Sequence, residues 1–421
     1  MKSFFLRREG VILVVVSPFL LFPTVFVPGT AATLLLLTAL WLSQAVVNQQ
    51  PWPVTPLNGA LLLWAAALMV GIVVSADPDL TLPKTTGLLL GLAIMRHMAG
   101  GNGHDKRLQW GTAAFFTAGL AMVITGTLSV DWRFEVPLVE AVIGRLPPHL
   151  ITLPEGPPVG IHMNQLAGAL LPYPLIFISL LWGWRSTHYP RLVKVGLIVL
   201  TTLLLALLFV TQSRSGWLGL AAGLVSLAIM KLWWSFPRTR RWLAGTGVAA
   251  TAVFLITAAL YTNSDEWAQL WQRPPQDTAV GDLSTLDFRR EVWLWGMTAV
   301  EDFPLTGTGL GTFRRVVAER YPIAVPADFD IAHAHNIVLQ VALDTGLPGL
   351  VAYMSLLAVT GVIGWRVAGR ETGLRPFILG LLAALIALHA YGLGDALAPG
   401  SKPGAIFWLI MGLIAHMNNG D

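Results

Sequence analysis

The stretch VGLIVLTTLLLALLFVTQSRSGWLGLAAGLVSLAIM, residues 195–230, consists of two apolar runs joined by the polar turn Thr211-Gln212-Ser213-Arg214-Ser215. Arg214 is its only charged residue. Because a helix rises about 1.5 Å per residue, roughly 20 apolar residues cross the hydrocarbon core of a bilayer. The stretch therefore predicts two membrane-spanning helices, at 195–212 and 216–234, with a tight turn between them at the membrane surface.

The composition of the whole chain agrees with a membrane environment. Of its 421 residues, 55% are hydrophobic and 12% are charged, whereas a soluble domain usually carries about 25% charged residues. The apolar runs predict spans at 10–29, 30–47, 59–75, 84–99, 111–130, 164–184, 195–212, 216–234, 243–261, 346–365, 377–395 and 405–418. The predicted fold is an all-α polytopic membrane protein with about twelve transmembrane helices, in which residues 1–421 form a single integral membrane domain.

The loops between the predicted spans differ in basic residues, which indicates the orientation of the chain. Short loops on the cytoplasmic side of membrane proteins are enriched in Lys and Arg. With the N-terminus inside, sixteen of the 27 Lys and Arg residues lie on the cytoplasmic side. The short outer segments hold five, which are Lys84, Arg133, Arg145, Arg214 and Lys402. We therefore expect both termini to face the cytoplasm.

Charge and cysteine usage argue against several functions. The formal net charge is +4, but the basic residues form small clusters between apolar spans, which does not suit nucleic acid binding. The chain has no cysteine, so neither disulfides nor a thiolate metal site are expected. Charged residues are almost absent from the interiors of the predicted spans, where His389 and Asp395 lie within or at the edge of a late span, and this counts against ion-driven transport. We expect His389 to be a core histidine hydrogen-bonded to a neighbouring helix.

Two outer segments interrupt the apolar pattern. Residues 131–163 are rich in proline and apolar residues and are expected to lie along the membrane surface. Residues 262–335 form the long polar outer loop, and its tryptophans predict an ordered, functional loop. Within it, Ser284-Thr285-Leu286-Asp287 has capping-box spacing and predicts a helix that runs to about Val300.

Arginines near the outer membrane surface are candidates for anion binding. Arg214 lies in the tight turn, where it could bind a lipid phosphate or a lipid-linked pyrophosphate, or simply extend to water. Arg289 lies one helical turn before Trp293, whose ring could orient the guanidinium toward phosphate oxygens. Arg290 is the main rival of Arg289, and both could instead form a solvated face with nearby acids.

Histidines at the end of the long loop form the densest candidate site. The segment Asp328-Phe329-Asp330-Ile331-Ala332-His333-Ala334-His335-Asn336 directly precedes an apolar run. His333 and His335 could bind a metal with the upstream acids, but the loop offers no third histidine or thiol. A histidine at the mouth of a helix suits a general base better, because its ordinary pKa lies near physiological pH. We therefore predict no metal site.

The glycine-rich run at 307–311 only superficially resembles a nucleotide-binding loop. It follows a predicted helix rather than a strand and lacks the Lys-Ser/Thr pair of a phosphate-binding loop. We therefore predict a structural turn.

Taken together, these motifs resemble the O-antigen ligase family. His335-Asn336, followed after nine residues by Gly346-Leu347-Pro348-Gly349, is similar to the family signature His-(Asn/Ser/Gln)-x9-Gly-x-x-(Gly/Thr/Tyr). Arg289-x3-Trp293, followed by the Gly-x-Gly-x-Gly-x-Phe run at 307–313, resembles the segment before the family's histidine. Arg214 resembles the family's functional arginine, and the predicted topology is similar as well.

The resemblance implies a glycosyltransferase of the bacterial inner membrane with a periplasmic active site. Its partners would be undecaprenyl-pyrophosphate-linked O-antigen as donor, lipid A-core oligosaccharide as acceptor and membrane lipids, but not nucleic acid. Arg214 and Arg289 or Arg290 would hold the donor pyrophosphate, and His335 would deprotonate the acceptor hydroxyl. Direct attack would invert the anomeric centre and form lipopolysaccharide without a metal or another cofactor.

Several residues and alternatives stay open. Asn336, His333, Lys84 and Asn164 are further candidates for supporting roles, although Asn164 could equally be a helix-entry residue. An O-antigen polymerase or a protein O-oligosaccharyltransferase of the same superfamily is an alternative. One dominant outer loop and a chain that ends just after its last span favour a ligase. A glycolipid flippase or transporter is the alternative from a different class.

Overall fold

The computed structural model describes residues 2–49, 52–100, 104–132, 149–158, 160–183, 190–237, 286–323 and 331–418. These residues form helices and connecting loops, and within them the β-structure is an isolated bridge between Val130 and Ile161. The predicted span 243–261 lies outside the described residues, as do 262–285 and 324–330 of the predicted outer loop. The predicted all-α class is confirmed.

The helices fall into two sets, one on each side of the undescribed part of the outer loop. The first set is α1 (Lys2–Leu21), α2 (Val27–Asn48), α3 (Asn58–Val73), α4 (Pro78–Ala99), α5 (His104–Ser129), α6 (Met163–Leu170), α7 (Pro172–Trp182), α8 (Arg191–Val210) and α9 (Arg214–Ser235). The second set is α10 (Leu286–Asp302), α11 (Phe313–Arg320), α12 (Ile337–Arg370), α13 (Arg375–Gly392) and α14 (Ala405–Asn418). Helix α10 confirms the helix that capping-box spacing predicted.

Seven segments among the described residues are long and apolar enough to cross a membrane. They are Val27–Val47, Gln109–Ser129, Met163–Trp182, Arg191–Val210, Arg214–Ser235, Ile337–Arg370 and Arg375–Gly392. The apolar helices Glu9–Leu21 and Asn58–Val73 are shorter. The polytopic membrane class is therefore confirmed, and the number twelve stays a prediction.

The core of the bundle is built on α13 and α14. Helix α13 packs against α7, α9 and α12, while α14 packs against α4. The fit is close: a Cβ at Gly91 would lie 2.0 Å from the fully buried indole of Trp408. In α13, His389 Nε2 accepts a 2.8 Å hydrogen bond from the hydroxyl of Tyr353 in α12, because the ring proton lies on Nδ1, which faces a carbonyl. Its Nδ1 contacts the carbonyl of Leu385 at 2.7 Å, so the predicted core histidine is confirmed.

Helix α12 begins nine residues before the predicted span, and a kink explains the difference. Gly346 interrupts the helix with φ +69° and ψ 179°, and Pro348 follows it. The N–H of Leu347 donates to the carbonyl of Pro304 (2.7 Å), so the segment that follows α10 packs against α12 at the kink. A Cβ at Gly346 would lie 2.4 Å from the backbone of Leu305. Only glycine accommodates both this φ and this approach.

The glycine-rich run fills the space next to the kink. The N–H of Thr308 donates to the carbonyl of Leu343 (2.7 Å), and the N–H of Leu310 donates to the carbonyl of Gly71 (2.9 Å). The hydroxyl of Thr81 donates to the carbonyl of Leu310 (2.8 Å). The run therefore ties α12 to α3 and α4, which confirms the predicted structural turn.

The described part of the first outer segment lies against the ends of other helices. The N–H groups of Leu150 and Ile151 share the carbonyl of Leu128. Glu155 Oε1 accepts two hydrogen bonds from Thr24, and Glu155 Oε2 lies 3.3 Å from Lys402 Nζ. Residues 133–148 and 159 lie outside the described residues, so the predicted course along the membrane surface stays a prediction.

The kink generates a test of packing. Gly346→Ala should destabilise the protein by about 1–3 kcal/mol for the backbone conformation, and the contact with Leu305 adds to this. Thermal unfolding in detergent should show a clear fall in Tm. Gly361→Ala is the matched control in the same helix, because a Cβ there meets nothing within 4 Å. An unchanged Tm for Gly346→Ala would contradict this account of the kink.

Candidate active site

The histidine segment precedes α12 and is shaped by its backbone. Asn336 is the N-cap of α12, and its Oδ1 accepts hydrogen bonds from the N–H groups of Val338 (3.0 Å) and Leu339 (3.1 Å). Asn336 Nδ2 donates to the carbonyl of Leu393 (3.3 Å). His335 has a left-handed backbone with φ +49°, which is uncommon for a residue other than glycine. These constraints fix the direction in which the His335 side chain leaves the backbone.

Asp395 brings the two histidines together. It follows the end of α13, and its side chain is only 3% exposed. His333 Nε2 and His335 Nδ1 each lie 3.5 Å from Asp395 Oδ1. The two imidazole centroids are 4.3 Å apart, and the ring of Phe288 meets that of His335 edge-on at 5.6 Å. One carboxylate and two imidazoles thus form a compact cluster at the end of the bundle.

The charges of this cluster follow from its surroundings. Burial lowers the pKa of His333 to about 3, and the neighbouring His335 acts in the same direction. Burial would raise the pKa of Asp395, but hydrogen bonding from His335 and the two adjacent imidazoles outweigh it and hold that pKa well below its usual range. At neutral pH, His333 is therefore neutral and Asp395 is ionised.

The hydrogen bonds assign the proton positions. His333 Nδ1 accepts the N–H of His335 (3.2 Å), so the ring proton of neutral His333 lies on Nε2 and faces Asp395. The same carboxylate favours a proton on Nδ1 of His335, which leaves its Nε2 with a lone pair. An imidazole oriented by a carboxylate in this way is equipped to accept a proton from a substrate.

The same residues were tested as a metal site. Their ligand atoms lie within 4.8 Å of one another. A metal on Nε2 of His333 would require the ring proton on Nδ1, where it would oppose the N–H of His335. The geometry therefore fits a hydrogen-bonded cluster better than a set of metal ligands. Asp328 and Asp330, which the sequence places upstream, lie outside the described residues.

Arg214 lies beside the loop that carries Asp395. It is the first residue of α9, and the capping residue Ser213 accepts a backbone hydrogen bond through its side chain. Ser215 packs against Gly394, because a Cβ at Gly394 would lie 2.7 Å from the Ser215 hydroxyl. The Arg214 side chain is exposed. The tight turn thus presents a cation and a helix N-terminus next to the histidine cluster.

Arg289 and Arg290 reach the site from α10, directly after Phe288. Arg289 lies close enough to Tyr391, at the end of α13, for an electrostatic interaction. Its Nε is buried without a hydrogen-bond partner among the described residues. The stacking of Arg289 on Trp293 that the spacing suggested is not seen in the described part of the chain. This electrostatic interaction with Tyr391 is the ground for preferring Arg289 to Arg290 as the donor-binding arginine.

The two remaining supporting candidates occupy different places. Lys84 of α4 lines a small cavity with Asp344 and Gly400, and its charge opposes protonation of His333. Asn164 contributes its backbone, because its carbonyl accepts a 2.8 Å hydrogen bond from the hydroxyl of Tyr391. Lys84 therefore acts on the cluster electrostatically, whereas Asn164 fixes a neighbouring side chain.

The fold brings to this site further residues that the motifs do not predict. Asp395 was placed at the edge of the span 377–395, yet α13 ends at Gly392 and Asp395 turns toward the histidines. The run Gly392-Leu393-Gly394 just before it is a helix-stop signal that could have revealed this position. Arg314 of α11, whose charge also opposes protonation of His333, carried no comparable signal.

The comparison with protein families agrees with the motifs. Residues 199–354 match a family model described as O-Antigen ligase. The matched range contains Arg214, Arg289, Arg290, His335, Asn336 and the kink at Gly346. The resemblance to this family that the motifs indicated is thereby confirmed for residues 199–354. Among curated proteins, no sequence matches the chain significantly.

The cap of α12 generates a test. Asn336→Ala removes the Oδ1 that accepts both capping hydrogen bonds and the bond to Leu393, and the lost cap should cost about 1 kcal/mol. Asn336→Ser keeps a capping oxygen and should lose less stability. Thermal unfolding of the two variants in detergent should rank wild type above Ser and Ser above Ala. Equal Tm values for Ser and Ala would show that the cap does not stabilise this segment.

Proposed function

We propose that this chain, which carries an O-antigen ligase family domain at residues 199–354, is a metal-independent, inverting O-antigen ligase. It moves O-antigen glycan from undecaprenyl pyrophosphate to lipid A-core oligosaccharide on the periplasmic side of the bacterial inner membrane, with both termini cytoplasmic. The observation that carries the proposal is the contact of Asp395 with His335, at a loop that packs against Ser215, the neighbour of Arg214.

His335 is the general base in the proposed reaction. Its Nε2 takes the proton of an acceptor hydroxyl as that oxygen attacks the anomeric carbon of the donor sugar. The new glycosidic bond forms while the bond between the anomeric carbon and the pyrophosphate oxygen breaks. The electron pair of the broken bond leaves with undecaprenyl pyrophosphate. Asp395 stabilises the imidazolium that forms, from 3.5 Å away.

Arg214 and Arg289 act on the leaving group. A diphosphate gains negative charge as the glycosidic bond breaks, and fixed guanidinium groups stabilise that charge in the transition state. Arg214 also lies at the N-terminus of α9, where the helix dipole favours an anion. The donor's own glycosyl-pyrophosphate bond supplies the free energy, so the reaction needs no nucleotide outside the cytoplasm.

The experiment that tests the proposal is in vitro transfer in detergent with undecaprenyl-pyrophosphate glycan, purified lipid A-core and EDTA. Transfer to lipid A-core in EDTA supports a metal-independent ligase. Elongation of the donor, or glycosylation of a peptide, with no transfer to lipid A-core would replace the ligase by a polymerase or a protein O-oligosaccharyltransferase. No transfer in any of these assays would favour a flippase or transporter.

The proposed base generates a graded prediction. His335→Ala should abolish transfer while membrane insertion and donor binding persist. Asp395→Asn should lower kcat by roughly 10²–10⁴-fold, because the imidazole loses the carboxylate that sets its tautomer. His162→Asn is the control: His162 caps α6 through its ring nitrogen, and asparagine can replace that acceptor. Full activity of His335→Ala would remove His335 from the mechanism.

The arginines generate a second prediction for the same assay. Arg214→Ala and Arg289→Ala should each lower transfer by about 10²–10³-fold, the usual effect of losing one group that stabilises a developing anion. Arg290→Ala should have the smaller effect. Arg315→Ala is the matched control, because Arg315 lies in an exposed ion pair with Asp77 (2.9 Å). A larger loss in Arg290→Ala than in Arg289→Ala would reverse the assignment.

A further inference from the structure

A chain of buried hydrogen bonds runs from the histidine segment into the frame of the bundle. The N–H of Ala334, which separates the two histidines, donates to Gln340 Oε1 (2.8 Å). Gln340 Nε2 donates to Asp344 Oδ1 (2.9 Å), and the same oxygen accepts the N–H of Gly311 (3.0 Å). Gln340 and Asp344 are only 4% and 6% exposed.

The chemistry of the two side chains fixes which group donates and which accepts in this series of hydrogen bonds. A carboxylate only accepts hydrogen bonds, so the nitrogen of the Gln340 amide must face Asp344. The amide oxygen is then left for the N–H of Ala334. Gly311 belongs to the run that is bonded to α3 and α4 through its neighbour Leu310. The position of Ala334 is thereby tied to helices remote in sequence.

These hydrogen bonds matter because His335, the residue next to Ala334, has a strained backbone. His335 has φ +49°, and such a conformation persists only when its surroundings determine it. Asn336 fixes the backbone after His335, and Gln340 fixes it before, at Ala334. A rotation of the backbone at Ala334 or at Asn336 would move His335 away from Asp395.

We propose that Gln340 and Asp344 are positioning residues for the glycosyl transfer, which hold Ala334 so that His333 and His335 stay in contact with Asp395. This inference rests on the proposed function, in which His335 is the base. Gln340 and Asp344 themselves touch neither donor nor acceptor, and they act through the backbone of the histidine segment.

An exchange of the two side chains tests the proposal. In Gln340→Glu, the amide donor is lost, and the new carboxylate at residue 340 faces the carboxylate of Asp344, so two acceptors oppose each other. The kcat of transfer should fall at least about tenfold, while the KM for the donor changes less than about threefold. In the double variant Gln340→Glu/Asp344→Asn, the new amide donates to the new carboxylate, but the N–H of Gly311 loses its acceptor, because Asp344 Oδ1 accepts both bonds in wild type. Its kcat should recover in part, to a value above that of Gln340→Glu, because the bond between residues 340 and 344 is restored.

Hydrogen exchange provides a readout that does not depend on transfer. The peptide that contains Ala334 should exchange faster in Gln340→Glu than in wild type, and the double variant should restore its protection. Gln44→Glu is the matched control, because Gln44 is a 2% exposed glutamine in α2. It places a second buried carboxyl far from the site and should leave both kcat and this exchange rate unchanged.

The outcomes separate this inference from the proposed function. Unchanged exchange and unchanged kcat in Gln340→Glu would overturn the positioning role. A double variant that folds but is no better than Gln340→Glu would overturn it as well. Should wild type transfer to no acceptor, the proposed function fails, and the exchange of the Ala334 peptide still decides whether Gln340 holds this segment.

Discussion

The contact of one buried carboxylate with two imidazoles is the interaction on which the rest of the site depends. Asp395 lies 3.5 Å from a ring nitrogen of both His333 and His335. It stays ionised although it is buried and so keeps a negative charge next to His335, while His333 stays neutral at neutral pH. This charge sets the tautomer of His335 and leaves a basic nitrogen for an acceptor hydroxyl.

The fold supplies this contact by joining distant segments. The two histidines directly precede α12, Asp395 follows the end of α13, and Arg214 is the first residue of α9. The kink at Gly346 lets the segment after α10 form hydrogen bonds with α12, and this segment continues into the glycine-rich run. Because each segment is fixed by backbone hydrogen bonds, the site is built on the ends of helices rather than on a free loop.

The sequence reveals the helices and the reacting groups more readily than their partners. Apolar length predicts the spans 195–212 and 216–234 closely, since α8 and α9 meet at residues 210–214. Motif spacing makes His335 the candidate base and Arg214 and Arg289 the candidate anion-binding residues. The contact of Asp395 with His335 is not predicted, because two residues that lie 60 positions apart in the sequence produce no local pattern. The start of α12 was placed too late because Gly346 and Pro348 look like a helix boundary, whereas tertiary bonds continue the helix through them.

In the proposed single displacement His335 deprotonates the acceptor, and the anomeric configuration of the product tests this step most directly. Nuclear magnetic resonance of the transferred glycan should show that the sugar linked to the acceptor has the opposite anomeric configuration from the same sugar in the undecaprenyl pyrophosphate donor. Inversion is the predicted result, because one attack reverses the centre once. Retention of the configuration would require a covalent intermediate on the enzyme and would contradict the account.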